Sequence, residues 1–300
     1  MKHLQDFLFI EAVMRAGSIR KAAEDMNITA SALNRRINRF EEDFGSEIFE
    51  RLPRGVRLNP AGELLIQHIR AQRSDLTRVQ SQVADLSGER RGHVSIACSQ
   101  ALLPYFLPDQ IAKYRRDHPG VTFGVNVRDR VQAEQELSTF SSDIALVFEP
   151  RVLVDFEVIA AISQPIYVVM RRSHALAGRP TLRLRDCLAH PHVAPNPNYA
   201  IRVLLDIAAK KSTSSIVSPI AEAESFDFMR HYVLHENALC FQFPIGLNVQ
   251  DHPDLVAAPL DPRDVAPGNL LLGQLRGRAL PVASAKFVQQ LSQALELQAF

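Results

Sequence analysis

The apolar and polar positions from Gly17 to Gly45 follow a helical period and predict two helices joined by a tight turn. Ser18 is predicted to cap the first helix, Ile19 to Met26. Thr29 is predicted to cap the second, which runs from Ala30 to about Phe44 and ends at Gly45. Apolar residues spaced by four, three and four positions form one stripe along the second helix: Leu33, Ile37, Phe40 and Phe44. We therefore expect this helix to bury one side in a small core.

The opposite side of the second helix is polar but carries no acidic residue, unlike an ordinary solvated face. Its members are Ser31, Asn34, Arg35 and Asn38. In a DNA major groove Asn pairs with adenine and Arg with guanine, so these residues predict base contacts. We assign Ser18, Thr29 and Ala30, at the starts of the two helices, to the same DNA-binding surface.

A β-hairpin is predicted next, because Pro53 and Gly55 lie between two short apolar runs, Ile48–Phe49 and Val56–Leu58. Three of its arginines are suited to phosphates or a minor groove: Arg51, Arg54 and Arg57. For any one of them a solvated surface charge is an equal alternative. Three more arginines on the second helix, at positions 35, 36 and 39, make DNA binding the better interpretation of the whole set.

A heptad pattern follows the hairpin and predicts a long helix over residues 60–88, with Asn59 as its cap and Pro60 at its first position. Apolar residues and one glutamine recur at alternating spacings of four and three: Leu65, Ile69, Gln72, Leu76, Val79, Val83 and Leu86. Such a seam is typical of helices that pair with a second copy. The alternative is a helix that packs on its own domain. Pairing is favoured, because a helix between two domains has little of its own chain to cover it.

The N-terminal residues resemble the winged helix-turn-helix of LysR-type transcriptional regulators. The resemblance is carried by Phe7, Val13, Gly17, Ser18, Ala22, Ala23, Ser31, Ala32, Ile37, Glu41, Gly45, Phe49, Arg51, Leu58, Ala61 and Gly62. Four residues depart from the family's pattern: Ala30, Asn34, Phe40 and Asn59. Since Ala30 and Asn34 lie on or beside the base-contacting face, the resemblance does not supply the DNA sequence recognised.

The resemblance implies three parts. Residues 1–59 would form an all-α winged helix-turn-helix, and residues 60–88 a linker helix that dimerises, with a homotetramer made from two dimers. Residues 92–300 would form an α/β effector-binding domain with two lobes like those of periplasmic binding proteins. Lobe I would hold 92–162 and 268–300, and lobe II would hold 165–266.

Short apolar runs alternate with helical patterns after residue 92, which favours parallel sheets covered by helices on both faces. The predicted strands are Val94–Ala97, Val121–Val127, Asp143–Phe148, Ile166–Met170, Ile216–Ala221, Ala238–Phe241 and Leu270–Leu275. Helices are predicted at about 101–117, 131–140, 201–210, 225–236 and 284–297.

A ligand is expected in the crevice between the lobes, beyond the carboxyl ends of the strands. The candidate contacts are Ser99, Gln100, Arg128, Arg130, Phe148 and Glu149 from lobe I, and Asn198, Ser225 and Gln242 from lobe II. Ser99 and Gln100 precede a predicted helix whose free N–H groups favour an anionic or polar ligand. The alternatives are that Ser99 is only a helix cap and that Arg128 and Arg130 are surface charges.

Composition adds limits to this interpretation. The net charge is +1, and residues 1–90 hold 14 basic and 13 acidic residues, so positive charge is local. Cys98, Cys187 and Cys240 lie far apart without zinc-ligand spacing, which predicts buried thiols in a reducing compartment. No apolar run has membrane-spanning length and no signal-peptide core is present, so we expect a cytoplasmic protein.

The sequence shows no Gly-x-Ser-x-Gly, phosphate loop or His-x-x-x-His pattern, so we predict no enzyme, no cofactor and no metal site. His190 and His192, with Cys187, suggest a metal cluster only weakly, so we expect the two histidines to be ordinary loop residues. We predict a sequence-specific DNA-binding transcriptional regulator controlled by a small-molecule effector. Its partners would be operator DNA, the effector and further copies of itself as a homodimer or homotetramer, with RNA polymerase left open. The alternatives are a regulator that senses redox state through a cysteine, and an effector-independent regulator.

Overall fold

The computed structural model describes residues 2–86, 91–148, 155–212 and 216–298. The chain forms two compact units, which divide in sequence between Thr77 and Arg78. No helix among the described residues is long and apolar enough to cross a bilayer.

Three helices and a hairpin build the N-terminal unit, followed by the start of a long helix. In chain order the elements are α1 (Lys2–Ala16), α2 (Ile19–Asp25), α3 (Ala30–Phe44), β1 (Phe49–Leu52), β2 (Gly55–Leu58) and α4 (Pro60–Leu86). The predicted caps are confirmed: Ser18 Oγ accepts the Lys21 N–H, and Thr29 Oγ1 accepts the Ala32 N–H. Gly45 ends α3 in the left-handed conformation, at φ 79°.

The core of this unit contains three of the four residues in the predicted apolar stripe of α3: Leu33, Ile37 and Phe40. The fourth, Phe44, is half exposed and stacks on Phe40 with ring centroids 5.7 Å apart. The prediction that Phe44 is buried is therefore wrong. It is the last residue of α3, where the chain turns away at Gly45.

Two five-stranded sheets form the C-terminal unit. Lobe I contains β3 (Arg91–Cys98), α5 (Phe106–Asp117), β4 (Gly120–Val127), α6 (Arg130–Ser138), β5 (Ile144–Phe148), β6 (Phe156–Gln164), β12 (Gly268–Leu275) and α10 (Val282–Glu296). Lobe II contains β7 (Tyr167–Arg171), α7 (Leu184–Leu188), β8 (His192–Pro195), α8 (Ala200–Ser212), β9 (Ala221–Ala223), α9 (Phe226–His235), β10 (Leu239–Gln242) and β11 (Leu255–Pro259). The predicted two-lobed α/β fold is thus confirmed.

Both sheets are mixed, which corrects the prediction of parallel sheets. The strand orders are β4-β3-β5-β12-β6 and β11-β7-β10-β8-β9. The chain leaves the first sheet after Gln164 and returns at Gly268, so the returning β12 runs antiparallel to both β5 and β6. In the second sheet β7 runs antiparallel to β10 and β11.

One predicted strand is wrong and three strands were missed. Residues 216–220 form no strand, and β9 comprises only Ala221–Ala223. Pro219 lacks the N–H that a sheet ladder needs, which is the physical reason. The missed strands are β6, β8 and β11.

Candidate DNA-binding surface and ligand cleft

The side of α3 that faces away from the core is open to solvent over its first two turns. The exposed members of the predicted base-contacting face, with the cap, are Thr29, Ala30, Ser31 and Arg35. Asn34 and Asn38 are half-buried, because they line a groove of about 600 Å³ between α3 and the hairpin. Within the described ranges no carboxylate pairs with Arg35, so its guanidinium is available to a ligand.

Arg36, the next residue, has a different environment. Its guanidinium donates to Gln5 Oε1 at 3.2 Å and lies 3.5 Å from an Asp6 carboxylate oxygen. It also lies 5.0 Å from the centre of the Phe9 ring. These contacts hold Arg36 against α1, so its charge serves the N-terminal core and not the groove.

The hairpin carries two available arginines and one paired arginine. Arg51 and Arg54 are exposed, and no carboxylate in the described part of the chain pairs with either. Arg57 Nε donates to Glu50 at 2.8 Å, since the two residues face each other across the strands. The carboxylate of Glu50 raises the pKa of Arg57 and partly neutralises its charge. Arg51 and Arg54 are therefore the stronger candidates for phosphate contacts.

The hairpin is fixed against the turn between α1 and α2. The Val56 N–H donates to the carbonyl of Gly17 at 2.9 Å. Gly55 has a φ of 109°, and a Cβ there would overlap the Gly17 carbonyl oxygen. Glycine is needed at position 55 for both reasons. The hairpin that carries Arg51 and Arg54 is therefore held in place against the α1–α2 turn.

The predicted dimer seam on α4 divides into two halves. Leu65 and Ile69 are only 6% and 2% exposed and belong to the core of the N-terminal unit. Their assignment to a dimer contact is corrected, because the start of α4 packs on its own domain. Gln72 is exposed, and the later seam residues keep 42%, 45%, 57% and 88% of their surface accessible: Leu76, Val79, Val83 and Leu86.

In lobe I the chain after β3 forms a short 3₁₀ turn, Gln100–Leu102, and not the start of the predicted helix over 101–117. Ser99 Oγ accepts the Ala101 N–H at 3.4 Å, so Ser99 caps this turn. Pro104 lacks the N–H that would continue an α-helix from Gln100, and α5 begins only at Phe106. The predicted helix N-terminus at Ser99 is therefore wrong, and the expectation of an anionic ligand there loses this support.

Candidate residues from the two lobes contact each other directly at this point. Gln100 Oε1 accepts the Phe226 N–H at the start of α9, at 2.7 Å. The rings of Phe148 and Phe243 stack with centroids 3.8 Å apart and planes 9° from parallel. Buried Gln242 donates its amide to the Phe226 carbonyl at 3.2 Å. The Ile245 N–H of lobe II also donates to Gln164 Oε1, at the end of β6, at 3.2 Å. Hydrogen bonds and an aromatic stack thus join the two lobes at this point.

Ser225 contributes to the same region as the cap of α9, because its Oγ accepts the Phe228 N–H at 3.1 Å. Arg128 instead pairs with Glu136 of its own lobe at 2.5 Å and donates to the Val127 carbonyl. Its predicted effector contact is therefore corrected to an ion pair within lobe I.

The remaining candidates lie outside this contact. Arg130 begins α6 and is half-buried, and Asn198 is exposed in the loop before α8. Glu149 lies outside the described residues.

Tyr199, directly after Asn198, was missed as a candidate. Burial raises the pKa of its hydroxyl, and the carboxylates of Glu224 and, from lobe I, Asp129 raise it further. The ring of Tyr199 packs edge-on against Phe226. The carboxylates of Glu224 and Asp129 accept hydrogen bonds, so they favour a ligand hydroxyl or ammonium group near the Tyr199 hydroxyl. The signal available in the sequence was its place before α8, beside the residue that was chosen.

The three cysteines have no accessible thiolate. Cys98, Cys187 and Cys240 are each fully buried, and burial raises the pKa of each thiol to about 12. At neutral pH these thiols are protonated and weakly nucleophilic.

Two family models match the chain, one in each of its two parts. Residues 4–63 match the family described as bacterial regulatory helix-turn-helix protein, lysR family. Residues 87–296 match the LysR substrate binding domain.

Among curated relatives, the RuBisCO operon transcriptional regulator of Allochromatium vinosum is 29% identical over 181 residues, which cover 60% of this chain and 60% of that protein. The transcriptional activator CmpR of Synechocystis sp. is 23% identical over 203 residues, which cover 68% of this chain and 66% of CmpR. The chain thus spans less than two thirds of the length of these two relatives.

Solved structures share the fold at low identity. A full-length OxyR variant from Pseudomonas aeruginosa matches with a TM-score of 0.69 at 16% identity, covering 98% of this chain and 94% of that one. Full-length CbnR in complex with its target DNA matches with a TM-score of 0.65 at 16% identity, covering 97% and 99%. Because the substrate-binding-domain match alone spans more than half of the chain and the helix-turn-helix match precedes it, the protein belongs to the LysR family.

Proposed function

We propose that the protein is a sequence-specific DNA-binding transcriptional regulator whose C-terminal unit responds to a small polar effector. The observation that carries the proposal is the exposed side of the first two turns of α3, where Thr29, Ser31 and Arg35 are accessible, beside a hairpin with two available arginines. Residues 1–59 would bind DNA, residues 60–88 would join two copies, and residues 92–300 would bind the effector.

DNA recognition on this proposal combines two kinds of contact. Ser31, Asn34 and Arg35 enter the major groove and contact base edges. Arg51 and Arg54 contact the sugar-phosphate backbone, where each positive charge strengthens binding to any sequence. The helix caps Ser18 and Thr29 keep the ends of α2 and α3 in place.

Dimerisation would use the exposed second half of the α4 seam, from Leu76 to Leu86. Four apolar side chains on one stripe of a helix favour burial against a second copy. Two copies would place two recognition helices on two half-sites of one operator. A tetramer would follow from pairing two such dimers.

Effector control would act through the contact between the lobes. A ligand at Ser99 competes with the Gln100–Phe226 hydrogen bond and touches the side chains of both lobes. It therefore binds one arrangement of the lobes more tightly than another and shifts their populations. The nearby Tyr199 hydroxyl and the acids Asp129 and Glu224 favour a ligand that carries hydroxyl or ammonium groups as well as an acceptor.

Cysteine-based redox sensing is the weaker alternative. Redox-sensing cysteines need an accessible thiolate, whereas all three thiols here are buried with the pKa raised to about 12. The proposal therefore assigns sensing to the cleft.

The experiment is to incubate the purified full-length protein with fragmented genomic DNA and to sequence the fragments that it retains. We expect enrichment of a motif with two half-sites related by symmetry. Retention without sequence preference would contradict a sequence-specific regulator.

A further inference from the structure

Glu41 connects the recognition helix to the hairpin. It lies in the last turn of α3, and its Oε1 accepts the N–H of Ile48 at 2.8 Å and the N–H of Phe49 at 3.2 Å. Both of those residues are buried at the start of the hairpin. One side chain of α3 thus fixes where β1 begins.

This connection lies directly behind the predicted base contacts. Asn34, Asn38 and Glu41 are spaced by four and three residues, so they share one face of α3. All three line the groove between α3 and the hairpin. Glu41, which fixes the start of β1, therefore lies on the same face of α3 as Asn34 and Asn38, which are assigned to base contact.

Arg51 is two residues beyond Phe49 on the same strand. At about 3.4 Å per residue, its Cα lies about 7 Å along the strand from the Phe49 N–H that Glu41 holds. A shift of the strand at Phe49 is carried to Arg51 over that short distance. Arg51 also lines the groove, opposite Asn34 and Asn38.

Other contacts hold different parts of the hairpin. The Gly17 carbonyl binds the Val56 N–H in β2. At the base of the hairpin, Asn59 donates its side-chain amide to the Glu47 carbonyl at 2.8 Å. These contacts keep the hairpin folded on the domain, while Glu41 sets the position of β1 relative to α3.

We propose that Glu41 is a positioning residue for DNA binding, which sets the spacing between the base-contacting face of α3 and Arg51 without contacting DNA. The proposal rests on the proposed function, in which Arg51 contacts the DNA backbone. It predicts that the contribution of Arg51 depends on the reach of the Glu41 side chain and not on its charge.

Two variants separate reach from charge. Glu41→Asp keeps the carboxylate but is one methylene shorter, so it cannot reach both N–H groups. Glu41→Gln keeps the length and an acceptor oxygen but removes the charge. Glu42→Gln is the matched control, because Glu42 is the exposed neighbour and loses the same charge.

The measurement is operator affinity of the full-length protein as a function of salt, with and without Arg51→Ala in each background. In the wild type and in the Glu42→Gln control, Arg51→Ala should lower the salt slope by roughly one. In Glu41→Gln the drop should also be roughly one. In Glu41→Asp it should be much smaller, because Arg51 no longer reaches the backbone there.

Two results would overturn the inference in distinguishable ways. If Arg51→Ala lowers the slope equally in the wild type and in Glu41→Asp, the positioning role is wrong and the DNA contact stands. If Arg51→Ala leaves the wild-type slope unchanged, the proposed DNA contact is wrong and the positioning role falls with it. Should Glu41→Asp fail to fold, loss of the Arg51 contribution in folded Glu41→Gln would still contradict the proposal.

Discussion

Arg35 and Arg36 are adjacent in sequence but have different surroundings in the fold. Arg36 is held by Gln5, Asp6 and the Phe9 ring, whereas Arg35 is exposed. A guanidinium that pairs with a nearby carboxylate stabilises its own domain. A guanidinium that has no carboxylate partner is available to a phosphate or a base edge. The role of each arginine is therefore decided by its neighbours in space.

Arg36→Ala should lower the stability of the N-terminal unit by about 0.5–1 kcal/mol, since it removes a partly exposed ion pair and a cation–π contact. Thermal unfolding of the purified protein measures the change. Operator preference at each base pair should stay as in the wild type. A changed base preference with unchanged stability would place Arg36 in the groove.

The burial of His174 and His192 predicts that the folded protein loses stability in mild acid. Both are buried, each has an Nε2 atom without a hydrogen-bond partner in the described chain, and burial lowers the pKa of each. The unfolded chain, with ordinary values of 6.5, then binds more protons than the folded chain. The free energy of unfolding is therefore not reduced by these two histidines above pH 6.5, and it decreases as the pH falls below that value, because the unfolded chain takes up protons that the folded chain does not.

The melting temperature should therefore decrease between pH 7 and pH 5, and less so in His192→Gln, which cannot take up a proton. The exposed His235 provides the control variant His235→Gln. An identical pH dependence in His192→Gln and the wild type would show that His192 does not contribute.

Elements defined by local signals could be predicted from the sequence, whereas those set by distant partners could not. The helix α3 could be predicted because Thr29, Gly45 and the apolar stripe all lie within one stretch of seventeen residues. The antiparallel direction of β12 depends on a chain that crosses to the other lobe and returns, which no local pattern shows.

The helix α4 shows the same limit within one element. Its heptad spacing correctly predicted a long helix, but the spacing is the same for the half that packs in the N-terminal core and for the half that stays exposed. Ile69 and Leu76 occupy equivalent seam positions with opposite surroundings. Only the packing of α4 against its own domain distinguishes them.

Leu76→Asp should dissociate the proposed dimer and weaken operator binding together, because it places a charge in the exposed half of the seam. Thr77→Asp is the control, since the neighbouring residue is exposed and lies off the seam. Sedimentation at micromolar concentration measures the assembly. An unchanged oligomer in Leu76→Asp would show that copies do not pair through this part of α4.

At the scale of the whole molecule, the C-terminal unit offers a contact that a ligand can alter. The contacts between its two α/β lobes include the Gln100–Phe226 and Ile245–Gln164 hydrogen bonds and the Phe148–Phe243 stack. On the proposed function, a ligand that binds one lobe arrangement more tightly than another changes the population that binds DNA, by an amount set by that difference in affinity.

Ser99→Trp should abolish the effector response and leave basal operator binding unchanged, because the larger side chain fills the space beside the 3₁₀ turn. Ser173→Trp, exposed in the loop after β7, is the control. Operator binding is measured with and without a ligand found by thermal-shift screening. A retained response in Ser99→Trp would place the effector elsewhere.

The most direct test of the central claim is the operator preference of Arg35→Ala, measured on a mapped operator with every single base-pair substitution. Arg35 is the exposed arginine on the face of α3 that the proposed function assigns to base contact, so we predict a loss of about 1–3 kcal/mol of discrimination at one position of each half-site. Discrimination at other positions should remain. If affinity and preference both equal those of the wild type, the face of α3 assigned to DNA does not read the operator.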